Sequence, residues 1–152
     1  MQKYNFENTL QHLISYALRE DTGHGDITSQ LLIPRGKKVK AVLLLKEKAV
    51  VAGLRIAEKV FKTVDAAVTF KAECKDGSLK NPRKIIATIE GNAQSILKAE
   101  RTAVNFLSNL SGVSTLTRAF VEKVKPYKVK IMDTRKTIPG LRELQKYAGT
   151  AG

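Results

Sequence analysis

The sequence predicts an α+β fold, and three features predict it. An amphipathic helix opens the chain. The β-forming runs are then grouped together, with one short helix among them. The longest helical pattern, from Ala93 to Leu110, follows the strands. Strands gathered ahead of helices favour a sheet with helices packed against it.

The first helix is read over Asn5–Glu20, where Phe6, Leu10, Leu13, Ile14, Ala17 and Leu18 recur at the spacing of one helical face. Asn5 or Asn8 suits its N-cap. The stretch Asp21–Thr28 breaks it with two glycines. Val39–Glu47 reads as a strand, and Ala49–Ala52 as a second, short one. Leu54, Ala57, Phe61 and Val64 predict a helix over Leu54–Val64. Ala67–Glu73 is the next strand, Asp76-Gly77 a turn, and Ile85–Glu90 a strand that Gly91 closes.

In the Ala93–Leu110 helix, Ile96, Leu97, Ala103, Val104, Leu107 and Leu110 share one broad face, and Arg101, Asn105 and Ser108 share another. Glu100 falls inside the apolar arc, where a carboxylate needs a partner or must be neutral. Ser111-Gly112 is expected to end this helix. A further helix over Thr115–Lys123 is stopped by Pro126, and a strand over Val129–Met132 leads into "DTRKTIPG", Asp133–Gly140. A domain boundary is expected at about Ser111–Thr115. No internal repeat or low-complexity tract is present.

At 152 residues the chain is one domain, or one domain and part of another. Its 43% hydrophobic content suffices for a core. The single cysteine, Cys74, excludes an internal disulfide and fits a reducing cytoplasm. No apolar run reaches membrane-spanning length, and "MQKYNFENTL" lacks a signal peptide's apolar core. The expectation is a cytoplasmic protein with no membrane partner. The balance of 27 Lys+Arg against 14 Asp+Glu, net +13, attracts polyanions. The cations form no long block, and aromatic residues do not interleave with them as a stacking platform requires, so nucleic acid is disfavoured as a partner.

Among the polar clusters, "TRKT" (Thr134–Thr137) is the most telling. An arginine fork matches a carboxylate or phosphate in two bonds, a lysine adds a mobile point charge, and hydroxyls complete an anion cradle. At the carboxyl end of a strand this is where α/β folds keep ligand sites. An anion site and an exposed basic loop both stand open on these residues alone. Pro139-Gly140 supports a fixed turn in either case. Arg101 alone reads as a solvated helix residue. "GHGD" (Gly23–Asp26) reads as a capping turn, and His12 has no matching ligand at close spacing. No Walker-type loop, zinc pattern or Ser-His-Asp set is present.

Three stretches together carry more. "EDTGHGDITS" (Glu20–Ser29), "ERTAVNFLSNLSGVSTLT" (Glu100–Thr117) and "MDTRKTIPGLRELQKYA" (Met132–Ala148) resemble, in order and separation, the signature segments of the quinolinate phosphoribosyltransferase family. The resemblance covers residues 4–148. It implies an α+β N-terminal domain, residues 1–112, with an antiparallel sheet and helices on one side. Residues 113–152 would begin an incomplete α/β barrel, with Val129–Met132 as its first strand. It also implies a reaction: quinolinate and 5-phosphoribosyl-1-diphosphate, with Mg²⁺, give nicotinate mononucleotide, diphosphate and CO₂ on the route to NAD. By motif, Arg101 matches the arginine that reaches quinolinate in the neighbouring subunit of a homodimer. Thr134, Arg135 and Lys136 match residues that grip quinolinate and the phosphoribosyl donor. Glu100 is expected to be a structural partner of a cation.

The sequence departs from the family pattern in two ways. Ile138 replaces a usual threonine. After Lys146-Tyr147-Ala148 the family continues through a glycine-rich stretch into an Asn-His-Arg cluster, which these 152 residues do not contain. A second substrate arginine, a further lysine and the acidic residues for ribose and Mg²⁺ are likewise outside them. The expectation is little turnover by this chain alone, with an exposed apolar edge at Val129–Met132. Other readings are a remnant serving as a dimerising or ligand-binding module, the related pyrophosphorylase-like protein of molybdate transport, and a basic nucleic-acid-binding domain.

Overall fold

The computed structural model describes residues 6–23 and 27–152. In chain order the elements are α1 (Phe6–Thr22), α2 (Ile27–Leu32), β1 (Lys38–Leu44), β2 (Ala49–Val50), α3 (Leu54–Val64), β3 (Thr69–Ala72), β4 (Leu79–Lys80), β5 (Ile85–Asn92), α4 (Ala93–Val124) and α5 (Arg142–Ala151). The main sheet is antiparallel in the order β1-β5-β3, and β2 pairs antiparallel with β4 in a small second sheet. This is the expected α+β layer.

Alternation along β1 decides which face is covered. Lys38, Lys40, Val42 and Leu44 point outward, and Val39, Ala41 and Leu43 pack against the core. In register, Ala41 faces Ile89 and Ile89 faces Phe70, so one face carries the apolar set. Phe70 meets Phe61 of α3 with ring centroids 5.9 Å apart. On the outer face Lys40 lies opposite Glu90 and pairs with it at 2.9 Å. Ile14, Ala57, Val60, Ala99, Ala103 and Leu110 complete a core shared by α1, α3 and α4.

Asn92, which ends β5, caps α4: its side-chain oxygen accepts from Gln94 N at 2.9 Å and Ser95 N at 3.2 Å. β5 therefore runs through Gly91 rather than stopping there. The helix break expected at Ser111-Gly112 does not occur, because α4 continues for 32 residues to Val124. The Ser111 hydroxyl of that expected stop, and the Thr115 hydroxyl one turn on, face β2 and the residues just after it instead. Ala52 N donates to Ser111 Oγ at 3.1 Å and Val50 N to Thr115 Oγ1 at 2.9 Å. They satisfy a short strand's backbone, and Gly112 stays helical with open space around it.

Further expectations need correction. Glu100 does lie beside Ile96 and Leu97, but it is exposed and needs no buried partner, because the buried stripe of α4 runs through Ile96, Ala99, Ala103, Leu107 and Leu110. Asn8 lies inside the first turn of α1, two residues past Phe6; Asn5 and most of "GHGD" fall outside the described residues. Val129–Met132 is not a strand. Val129, Ile131 and Met132 are exposed, and no described strand runs beside them to supply ladder hydrogen bonds. The short elements α2, β4 and α5 had no counterpart in the sequence reading.

Candidate anion-binding site

The segment after Met132 is held in shape by its own turns and by α5. Thr134 Oγ1 accepts from Lys136 N at 2.7 Å, a local side-chain turn. Leu141 N donates to Ile138 O at 3.0 Å, with Pro139 second and Gly140 third in the turn. Gly140 has φ of 81°, the value a type II turn requires at that position and one that a residue with a Cβ resists. The turn predicted at Pro139-Gly140 is thus present.

α5 makes four polar ties to the same segment. Lys146 Nζ pairs with Asp133 at 3.1 Å. Ile138 N donates to Gln145 Oε1 at 3.0 Å. Arg142 donates to Thr137 Oγ1 at 3.3 Å and to Arg135 O at 3.4 Å. The helix is itself anchored to α4, where the buried Ser114 hydroxyl donates to Ala148 O at 2.6 Å beside Leu144. A third anchor reaches the N-terminal layer: the Tyr147 hydroxyl donates to Asp76. The same carboxylate accepts from Gly53 N at 2.9 Å and Leu54 N at 3.2 Å, at the start of α3. Burial, and then the bond to Asp76, raise the Tyr147 pKa well above the ordinary tyrosine value.

Between the end of α4, this segment and α5 lies a cleft of ≈ 380 Å³, lined by Val113, Thr117, Thr134, Lys136, Lys146 and Thr150 among others. Of the predicted site residues, Thr134 and Lys136 line it, and Arg135 stands exposed between them. Along the sequence, residues 123–146 hold eight Lys+Arg against two Asp+Glu, and of these Lys136, Lys146 and Asp133 line the cleft. The arrangement can take an anion that presents carboxylate or phosphate oxygens to hydroxyls, ammonium groups and one planar fork. Lys146, Gln145 and Arg142 were not singled out in the sequence, because α5 itself went unrecognised.

Arg101 is elsewhere. It sits on α4 some 12 and 16 residues before Val113 and Thr117, about 18 and 24 Å along the helix axis. Its side chain does not reach the cleft of its own chain. Its Nε donates to both oxygens of Asp21 on α1, at 3.0 and 3.1 Å. Asp21, expected to begin a helix-breaking stretch, is still within α1; nothing local marks it as a partner for a residue 80 positions on. Among the described residues, no group of three or more His, Cys, Asp or Glu is placed to hold a metal ion.

Two family models divide the chain between them: the quinolinate phosphoribosyl transferase N-terminal domain matches residues 26–111, and the C-terminal domain matches residues 113–152. The chain belongs to the quinolinate phosphoribosyl transferase family. Among members of this family, the nicotinate-nucleotide pyrophosphorylase (carboxylating) of Mycobacterium leprae is 40% identical over 144 residues, covering 91% of this chain and 50% of its own length. The probable nicotinate-nucleotide pyrophosphorylase (carboxylating) of Synechocystis is 38% identical over 135 residues, covering 89% of this chain and 45% of its own. The solved nicotinate-nucleotide pyrophosphorylase of Francisella tularensis superposes with a TM-score of 0.92 at 35% identity, over 98% of this chain and 52% of that one. The α+β layer is thus the family's, and the chain spans about half the length of the curated relatives it matches. No helix among the described residues is long and apolar enough to cross a membrane.

Proposed function

We propose that this chain carries the quinolinate-gripping part of a quinolinate phosphoribosyltransferase. The reaction is the transfer of a phosphoribosyl group from 5-phosphoribosyl-1-diphosphate to quinolinate, releasing diphosphate and CO₂ and forming nicotinate mononucleotide for NAD synthesis. The observation that carries the reading is the Asp133–Ile138 segment, which places Thr134 and Lys136 at the cleft and is wired to α5 by four polar ties, in a chain of this family. Residues 1–112 form the N-terminal domain in this reading, and 113–152 the opening of the barrel.

Quinolinate is a dianion, and the donor brings a phosphate and a diphosphate. Thr134, Arg135 and Lys136 bind carboxylate and phosphate oxygens from one subunit, and Arg101 reaches the same ligand from its neighbour in a homodimer. Loss of diphosphate leaves an oxocarbenium-like ribose while negative charge grows on the leaving group. Guanidinium and ammonium groups already in position stabilise that charge without reorganising. Mg²⁺ arrives with the diphosphate of the donor, and the cytoplasm, with Cys74 reduced, is where the reaction takes place. Catalytic roles stay unassigned among these 152 residues.

The test is calorimetric titration of quinolinate into the chain and its Arg135→Ala variant. A charge-assisted bond is expected to be lost, weakening binding by roughly 10- to 100-fold. An unchanged affinity would falsify the assignment of Arg135. Binding that ignores quinolinate but falls steeply with salt in the presence of duplex DNA would instead favour a nucleic-acid partner.

A further inference from the structure

We propose that Asp21 is a positioning residue: it orients the Arg101 guanidinium for the carboxylate of a pyridine dicarboxylate held in the cleft of a second subunit. The inference rests on the functional reading above and adds a residue to it.

Three observations carry it. First, Arg101 Nε lies 3.0 and 3.1 Å from the two oxygens of Asp21. The contact grips the side chain at the root of its fork and fixes the plane of the guanidinium. The fork's end is the edge that takes a carboxylate in two parallel bonds. Second, exposure is divided unevenly. The Asp21 side chain is 22% exposed and that of Arg101 59%, so the anchor is more sheltered than the group it anchors. Third, the carboxylate gains nothing from its own helix. Asp21 lies in the last turn of α1, at the negative end of the macrodipole, where an acid is disfavoured. The partner that compensates it is across the chain, on α4.

The distance along α4 gives this contact its purpose. Arg101 is too far from the Thr134–Lys136 cleft of its own chain to enter it, so an anion held in such a cleft meets it only across a boundary between copies. A long, unrestrained side chain would lose most of its rotamer freedom on binding there. Held in advance by Asp21, it loses less.

The experiment uses the full chain and quinolinate itself. Removing the anchor in Asp21→Ala is expected to raise the Kd about three- to tenfold, the range set by ordering one long side chain. Asp21→Asn keeps an acceptor oxygen and is expected to recover part of the loss. In an Arg101→Lys background, which lacks Nε, Asp21→Ala is expected to change Kd less than about twofold, because the two sites are coupled. The Arg101 Nε–H resonance, followed by NMR, provides a readout that needs no ligand. It is expected to be sharp and slow to exchange in the parent and averaged in Asp21→Ala. A Kd that is unchanged or lower in Asp21→Ala overturns the proposal, as does an Nε–H signal indifferent to the substitution. Should the parent chain bind no quinolinate, the substrate reading falls, and the Nε–H signal decides Asp21 alone. A signal already averaged in the parent rejects the anchor; one lost only in Asp21→Ala upholds it.

Discussion

Asp76 joins three parts of the molecule through one carboxylate. It meets two backbone amides at the start of α3 and the Tyr147 hydroxyl on α5. Gly53, which supplies one of those amides, has φ of 103°, and a Cβ there would come within 2.8 Å of Leu110 Cδ1, so the backbone can approach Asp76 only without a side chain. Tyr147 then has a testable pH signature. Its folded pKa is raised by burial and by Asp76, above the unfolded value of about 10. The folded state keeps a proton that the unfolded chain releases. The contribution is therefore complete below about pH 10 and drains away as pH rises towards the folded value. Urea unfolding of the parent is expected to show stability falling between about pH 9.5 and 11 more steeply than in Tyr147→Phe. Parallel slopes in the two proteins would remove Tyr147 from this role.

Among the elements, α4 is the one that joins the layer to the cleft. Its stripe from Ala93 to Leu110 packs on the sheet and α3, and its later turns carry Ser114 and Thr117 to α5 and the cleft. Were Gly112 a helix-ending residue in a left-handed conformation, alanine there would destabilise. It is helical with nothing within 4 Å of an added Cβ. Gly112→Ala is expected to stabilise the chain by about 0.5–1 kcal/mol, read as a higher urea midpoint with unchanged slope. A lower midpoint would mean that α4 breaks at residue 112 after all. The contrast between α3 and α5 shows how legible an element is. The bounds of α3, Leu54–Val64, are those its apolar spacing predicts, because Leu54, Ile56, Ala57, Val60 and Phe61 are all buried. In α5 only Leu144 and Ala148 are buried, and a stripe that thin leaves no periodicity to read.

For the whole molecule, the separation of Arg101 from the Thr134–Lys136 segment means that, on the function proposed above, one site draws on two copies. In a two-fold dimer each cleft takes its loop from one chain and its helix arginine from the other. Arg101→Ala and Arg135→Ala chains are each expected to bind quinolinate poorly. Mixed in equal amounts and allowed to exchange, they are expected to recover about one quarter of the parental sites, since one cleft in each mixed dimer is intact. Titration stoichiometry measures this directly, and no recovery on mixing would place both residues' roles within a single chain. The uneven charge serves the same end. Cations gathered over residues 123–146 raise the local concentration of anionic ligands, an effect that weakens with salt.

The opening helix, the grouping of the strands, the turn at Pro139-Gly140 and the cations after Met132 were all readable along the chain. Each depends on periodicity or side-chain chemistry within a few residues. Other features could not be read that way, because they depend on partners distant in sequence. α4 continues past Gly112 with Thr115 turned to Val50, 65 residues away. Arg101 is held by Asp21 at a separation of 80, and α5 is tied to the first layer by Tyr147 and Asp76 at 71. Val129–Met132 has strand-forming side chains and still forms no strand, since a strand exists only beside another. Local pattern names groups whose chemistry suits an anion. The packing of distant segments sets which of them lie together in one chain and which stand apart.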